Sequence, residues 1–308
     1  MSLSRVEDVA FVGFQAPDLQ QMRVFLEDFG LQLAEQRAHR LFMRGSGPAP
    51  FLHMTVQGDP GFAVLGLRVG SPVELARLAE ADGVAVEDHD APGGGGCVEL
   101  RDPDGHRVVV VAGQTAVEPI AAAVTQRWNS SSARTRVREP KRLSPGPAKV
   151  MRIGHCVLNV SDFRASEAWY KSRFGFITSD EIALSPELSV GAFLRCDRGE
   201  EPTDHHTLFL AQSPGGPGFN HAAFEVADMD DLLNGHDRLS AAGHPHVWGV
   251  GRHLLGSQVF DYWRDPWGHT LEHWTDGDVF TAADAPRTAS LAELLAVQWG
   301  PSMPPEMT

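Results

Sequence analysis

The sequence predicts an α+β fold made of four copies of one unit, a strand, a helix and then several strands, with two copies in each half of the chain. Three observations carry this. Short apolar runs of strand character are each followed by an amphipathic stretch bounded by helix-capping residues. One turn motif occurs twice, as Arg101-Asp102-Pro103-Asp104-Gly105-His106 and as Arg264-Asp265-Pro266-Trp267-Gly268-His269. Val9 to Asp18 also aligns without a gap on Ile153 to Asp162, so that Asp18 falls on Asp162 and Phe11 on His155.

The elements follow in order. From Val6 a strand-like run is followed by Asp18 as N-cap, a helix from Gln20 to Phe29, and Gly30 as its stop. Arg40 to Val56 holds short apolar pieces broken by Gly and Pro, consistent with strands and turns. A strand over Phe62 to Val69, a helix from Pro72 to Asp82 and a strand pair around Asp102-Pro103 complete the second copy. The glycine run Gly93 to Gly96 is a flexible loop; neither a G-K-S/T nor a strand-G-x-G-x-x-G-helix context makes it a phosphate cradle.

After Gly113 the composition turns to Arg, Lys, Ser and Pro, which marks residues 114–149 as an interdomain linker. Its basic cluster, Arg127 to Arg142, reads as a solvated face or a contact with the acidic remainder. The unit restarts with a strand over Met151 to Val160, a cap at Ser161 or Asp162 and a helix ending at Gly175. A fourth copy runs from Phe219 through a helix near Met229 to Ala242 and the turn at Asp265. The expected division is residues 1–113, the linker 114–149, residues 150–280 and a C-terminal tail over 281–308.

Bulk composition narrows the function. With 308 residues the chain can bury a core in each of two domains. Its 26 Lys and Arg stand against 40 Asp and Glu, a formal charge of -14, which disfavours nucleic acid and anionic membranes and leaves small molecules as clients. Three widely spaced cysteines, Cys97, Cys156 and Cys196, suggest neither a disulfide framework nor a zinc ribbon. No apolar run approaches membrane-spanning length and the N-terminus lacks signal-peptide character, so a cytoplasmic, unexported protein is expected.

The chemistry concentrates between Gly251 and Trp274. Asp265-Pro266-Trp267-Gly268 has turn chemistry, so the flanking segments read as paired antiparallel strands carrying Tyr262 on one side and Glu272 on the other. A carboxylate planted among Trp263, Leu271 and Trp274 is costly to bury without a positive partner, and a divalent metal is one such partner. Two upstream strands, Gly154 to Leu158 and Phe219 to Phe224, each hold a histidine, His155 and His221, inside an apolar run. Two neutral imidazoles and one carboxylate form a facial triad that leaves three adjacent positions open on Fe(II).

The repeat separates this trio from the fold. In the register that superposes the two halves, His155, His221 and Glu272 face Phe11, Val64 and Val109, while the turn motif is kept in both halves, including His106 opposite His269. Fold-level features therefore repeat and the trio does not. His205, His236, His244, His246, His269 and His273 read as surface or hydrogen-bonded histidines, and Cys156 as a core residue on the face opposite His155.

At this point the residues resemble the two-domain type I extradiol ring-cleaving dioxygenases of the vicinal oxygen chelate superfamily, over most of the chain. The match rests on Gly251-Arg252-His253 and on Tyr262 through Glu272, with Asp261 a departure where that family has an apolar residue. The resemblance implies four β-α-β-β-β modules paired into two open barrels, the first without metal and the second holding Fe(II), less often Mn(II). It implies His155, His221 and Glu272 as metal ligands, His206 as the acid-base histidine, and His253 and Tyr262 as groups contacting the substrate hydroxyls. It further implies a vicinal aromatic diol and O2 as substrates, and a homo-oligomer. Leu255 and Gly256 stand where some relatives carry polar residues. Trp248, Phe260, Phe193 and Trp263 are the candidate pocket wall. Alternatives on the same scaffold are a hydroxyphenylpyruvate-type dioxygenase or a glyoxalase-like isomerase; a metal-free module that binds aromatics is a third possibility.

Overall fold

The computed structural model describes residues 2–120 and 128–305. Residues 121–127, part of the expected linker and including Arg127 of its basic cluster, lie outside the described residues. In the first half, β1 (Val6–Ala16), α1 (Leu19–Asp28), β2 (Gln32–Arg37), β3 (Arg40–Arg44) and β4 (His53–Gln57) form one unit. β5 (Gly61–Val69), α2 (Pro72–Asp82), β6 (Glu87–Asp88), β7 (Gly96–Arg101) and β8 (Arg107–Ala112) form the next. Their strands make one sheet in the order β2-β3-β4-β1-β5-β8-β7-β6.

The second half repeats the plan. β9 (Val150–Val160), α3 (Phe163–Phe174), β10 (Ile177–Ser185), β11 (Leu188–Arg195), β12 (Thr203–Asp204) and β13 (Leu208–Gln212) are followed by β14 (Gly218–Val226), α4 (Met229–Ala241), β15 (His246–His253), β16 (Val259–Arg264) and β17 (Thr270–Thr275). The chain closes with β18 (Val279–Phe280), β19 (Arg287–Ser290), α5 (Leu291–Leu294) and β20 (Val297–Trp299). A ten-stranded sheet runs β19-β10-β11-β13-β9-β14-β17-β16-β15-β20, and β12 pairs with β18. Residues 281–308, read from sequence as a tail, thus supply both edge strands of this sheet. β19 and β20 have four and three residues, too short for a readable period-two pattern.

The two halves share local chemistry as well as strand order. Asp18 caps α1 by accepting the backbone N–H groups of Gln20 and Gln21 at 2.8 and 3.0 Å, and Asp162 caps α3 by accepting that of Ala165 at 3.0 Å. Each such cap contributes about 1 kcal/mol. In the repeated turn, Asp102 accepts the His106 backbone N–H at 2.8 Å and lies 2.9 Å from its Nδ1; Asp265 does the same to His269 at 2.9 and 2.7 Å. These histidines keep the turn closed. Across the halves, Tyr170 donates to Asp102 at 3.1 Å, and Asp28 pairs with Arg238 and His244. Lys141, in the expected linker, forms an ion pair with Asp230 of α4.

What positions the site is the middle of each sheet. β9 and β14 are antiparallel, and β17 runs parallel to β14 on its far side. Ala223 lies opposite His155 on one side and Glu272 on the other, and His221 sits two residues along the same strand. The first sheet has the same register, with Gly66 opposite both Phe11 and Val109. There the matching side chains Phe11, Val64 and Val109 pack into one apolar cluster with Phe42 and Phe51. A Cβ on Gly66 would come within 2.4 Å of the Phe11 ring, so glycine is what lets that ring lie flat across the strand. Among the described residues no helix is long and apolar enough to cross a membrane.

Candidate metal centre

The three central strands of the second sheet bring His155, His221 and Glu272 together. Their ligand atoms all lie within 4.8 Å of one another. Glu272 Oε2 is 3.2 Å from His155 Nε2 and 3.4 Å from His221 Nε2. Period-two alternation puts His221 and Ala223 on one face of β14, and the small Ala223 leaves the space between the strands for the three longer side chains. Glu272 is fully buried and neither of its oxygens makes a well-formed hydrogen bond, the Tyr262 phenol giving it only a weak one; His155 Nδ1 has none.

Burial dominates the electrostatics. It pushes Glu272 up to about 7 and drives His155 down to about 3 and His221 to about 4, so both imidazoles are neutral. His221 Nδ1 lies 2.8 Å from the Asn220 side-chain oxygen, an acceptor, so Nδ1 carries the proton and Nε2 turns its lone pair inward. A buried carboxylate so weakly partnered costs several kcal/mol, on the order of the penalty for an unsatisfied charged group. Two lone pairs and this carboxylate converging on one point fit a divalent cation, which would satisfy all three at once.

Three further predicted residues surround this point. His206 packs against His155 with ring centroids 4.0 Å apart and the planes tilted by 46°, and burial among four other histidines holds it well below the ordinary imidazole range. His253 of β15 and Tyr262 of β16 meet through Nε2 and the phenol oxygen at 3.0 Å. Tyr262 lies directly opposite Glu272 in the β16–β17 register, and its ring is 5.1 Å from that of His221. Burial lowers His253 to about 3, while burial and the Glu272 charge raise the Tyr262 phenol well above its ordinary value. Both are therefore uncharged.

Of the expected pocket wall, Trp248 and Phe260 pack with Tyr262, and Phe193 lies 4.7 Å from the His206 ring. Trp263 does not belong there. It follows Tyr262 in a strand and so points to the other face, where its indole N–H donates to Asp261. Sequence reasoning also missed a buried chain behind His206. His205 Nδ1 is 3.0 Å from His206 Nδ1, and His205 Nε2 is 2.8 Å from Asp180, which Arg287 also holds. The one readable signal was the adjacent pair His205-His206; Asp180 and Asn220 left none.

Residues 152–273 match the family model described as the Glyoxalase/Bleomycin resistance protein/Dioxygenase superfamily. Among curated proteins, Metapyrocatechase 2 of Cupriavidus necator is 30% identical over 97% of this chain and 90% of that protein. Among solved structures, homoprotocatechuate 2,3-dioxygenase of Brevibacterium fuscum superposes with a TM-score of 0.80 at 17% identity, covering 99% of this chain and 92% of that one. The Mn(II)-bound glyoxalase of Novosphingobium aromaticivorans does so with 0.79 at 23%, covering 99% and 94%. These two likenesses concern the fold, a vicinal oxygen chelate fold. The chain belongs to the extradiol ring-cleaving dioxygenases of that superfamily.

Proposed function

We propose that this chain opens the ring of a vicinal aromatic diol beside its two hydroxylated carbons, using O2 and a single Fe(II) ion held by His155, His221 and Glu272. The observation that carries this reading is the weakly partnered, buried Glu272 carboxylate set between two neutral imidazoles, with His206 and the His253–Tyr262 pair around it. When bound, the ion supplies a place where diol and O2 meet and a positive charge that makes a diol hydroxyl acidic. Mn(II) accepts the same donor set.

The protein's own groups divide the remaining work. Tyr262, uncharged, can receive a hydrogen bond from a diol hydroxyl while its own proton is shared between His253 Nε2 and Glu272. This pair orients the diol and shares the proton it loses. His206 has its Nδ1 engaged by His205, which leaves Nε2 to hold or deliver a proton beside His155. Trp248, Phe260 and Phe193 exclude water around these groups. Both atoms of O2 enter the product, an open-chain semialdehyde or ketoacid, so no outside reductant is required.

The test is to load metal-stripped protein with Fe(II) without air, add catechols and then admit O2. A yellow ring-opened product, with one O2 consumed per diol, is expected. No O2 uptake with any diol, or oxidation to a quinone with the ring intact, contradicts the reading.

A further inference from the structure

A second group of two imidazoles and one carboxylate lies on the other face of β16 from Tyr262. His236 comes from α4, His246 from the start of β15 and Asp261 from β16, and one ligand atom from each lies within 4.8 Å of the others. Asp261 Oδ1 is 2.9 Å from His246 Nε2 and 3.2 Å from His236 Nδ1. Asp261 is fully buried, whereas the two histidine side chains are 28% and 33% exposed, so the group has a closed floor and an open top. We propose that His236, His246 and Asp261 form a second divalent-metal site, suited to zinc and completed by water on its exposed side.

Several features of the surroundings belong to a built site. Asp261 stands where the resembled family carries an apolar residue, and a carboxylate placed there is costly unless something positive meets it. The Trp263 indole N–H donates to Asp261 Oδ2 at 2.6 Å, which fixes the carboxylate with Oδ1 toward His246 and both oxygens within 3.2 Å of His236 Nδ1. On the facing strand, Gly249 makes the room: a Cβ there would stand 2.8 Å from Asp261 Oδ1, and its φ of +129° is one that residues with side chains rarely adopt. Three ligands from three separate elements around one oxygen match the two-nitrogen, one-oxygen set that zinc takes with a fourth position open.

The test uses the full chain, stripped with a chelator and dialysed against zinc chloride, with bound zinc counted by elemental analysis. Wild type is expected to hold two equivalents, and His246→Ala and His155→Ala one each. His236→Gln serves as a second variant should His246→Ala fail to fold. With cobalt(II) in place of zinc, the visible band of a four-coordinate ion should persist in Glu272→Gln and vanish in His246→Ala. A single equivalent in wild type that disappears with His155→Ala, or equal zinc content in wild type, His246→Ala and His236→Gln, would overturn the proposal and leave the cluster as a hydrogen-bonded network.

Discussion

His205 and His206 face each other through their Nδ1 atoms at 3.0 Å, and Asp180 holds the far nitrogen of His205 at 2.8 Å. Since a carboxylate only accepts, His205 Nε2 carries a proton; in that tautomer His205 Nδ1 accepts the Nδ1–H of His206 and leaves the Nε2 lone pair of His206 free beside His155. Asp180 and His205 are thus positioning residues for His206. Asp180→Asn and His205→Ala are each expected to lower kcat by roughly 10- to 100-fold, the scale on which outer groups tune a metal site. KM for the diol should change little. An equal loss in KM, with kcat preserved, would assign the chain to substrate binding instead.

The same carboxylate makes a stability prediction with a definite sign. Burial alone would raise Asp180, but hydrogen bonds from His205 and Arg287 hold it below its ordinary 3.8. A carboxyl group lowered in the folded state stabilises above its unfolded value and loses that contribution as pH falls through the folded one. Wild type should therefore exceed Asp180→Asn by about 1–3 kcal/mol near neutrality, the range for hydrogen bonds to a charged group. That gap should narrow below pH 3.8. Urea unfolding midpoints across pH measure it, and a gap that widens in acid would contradict the assignment.

Glu272 sets function against stability. Its buried carboxylate makes only a weak hydrogen bond, from Tyr262, so Glu272→Gln should raise the unfolding free energy of chelator-treated protein at pH 8 by about 1–3 kcal/mol, the cost of a poorly satisfied buried group. The same change should abolish turnover and remove one equivalent of bound iron. Calorimetry with and without chelator reads both effects. Destabilisation of the stripped protein would show that the carboxylate is satisfied without an ion.

Gly256 shapes the site from behind. A Cβ there would stand 2.9 Å from His205 Nδ1, and its φ of +74° is left-handed. Gly256→Ala is expected to cost about 1–2 kcal/mol from the backbone alone and to lower kcat by displacing His205. Restoring kcat by a second change to His205→Ala would not be expected, since His206 would still lack its partner.

Much of this arrangement was readable before any coordinates. The caps Asp18 and Asp162, the two turns and the loss of His155, His221 and Glu272 from the sister repeat are local or periodic features, and local features survive in a one-dimensional string. The chain from Asp180 to His206 was not readable, because Asp180 reaches His205 across 25 residues of intervening strand and loop. Trp263 follows Tyr262 on β16, and alternation gives the pocket face to Tyr262 and the opposite face to Trp263. The edge strands within residues 281–308 are too short to show a period, and what holds β19 is its pairing with β10, a long-range event.

One ion joining His155, His221 and Glu272 would keep a side open to a diol. A crystal structure of Fe(II)-loaded protein soaked without air with a catechol tests this most directly. A single iron is expected within ligating distance of His155 Nε2, His221 Nε2 and a Glu272 oxygen, with both diol oxygens on the side facing Tyr262 and His253. Iron bound elsewhere, or a catechol seated away from the three side chains, would contradict it.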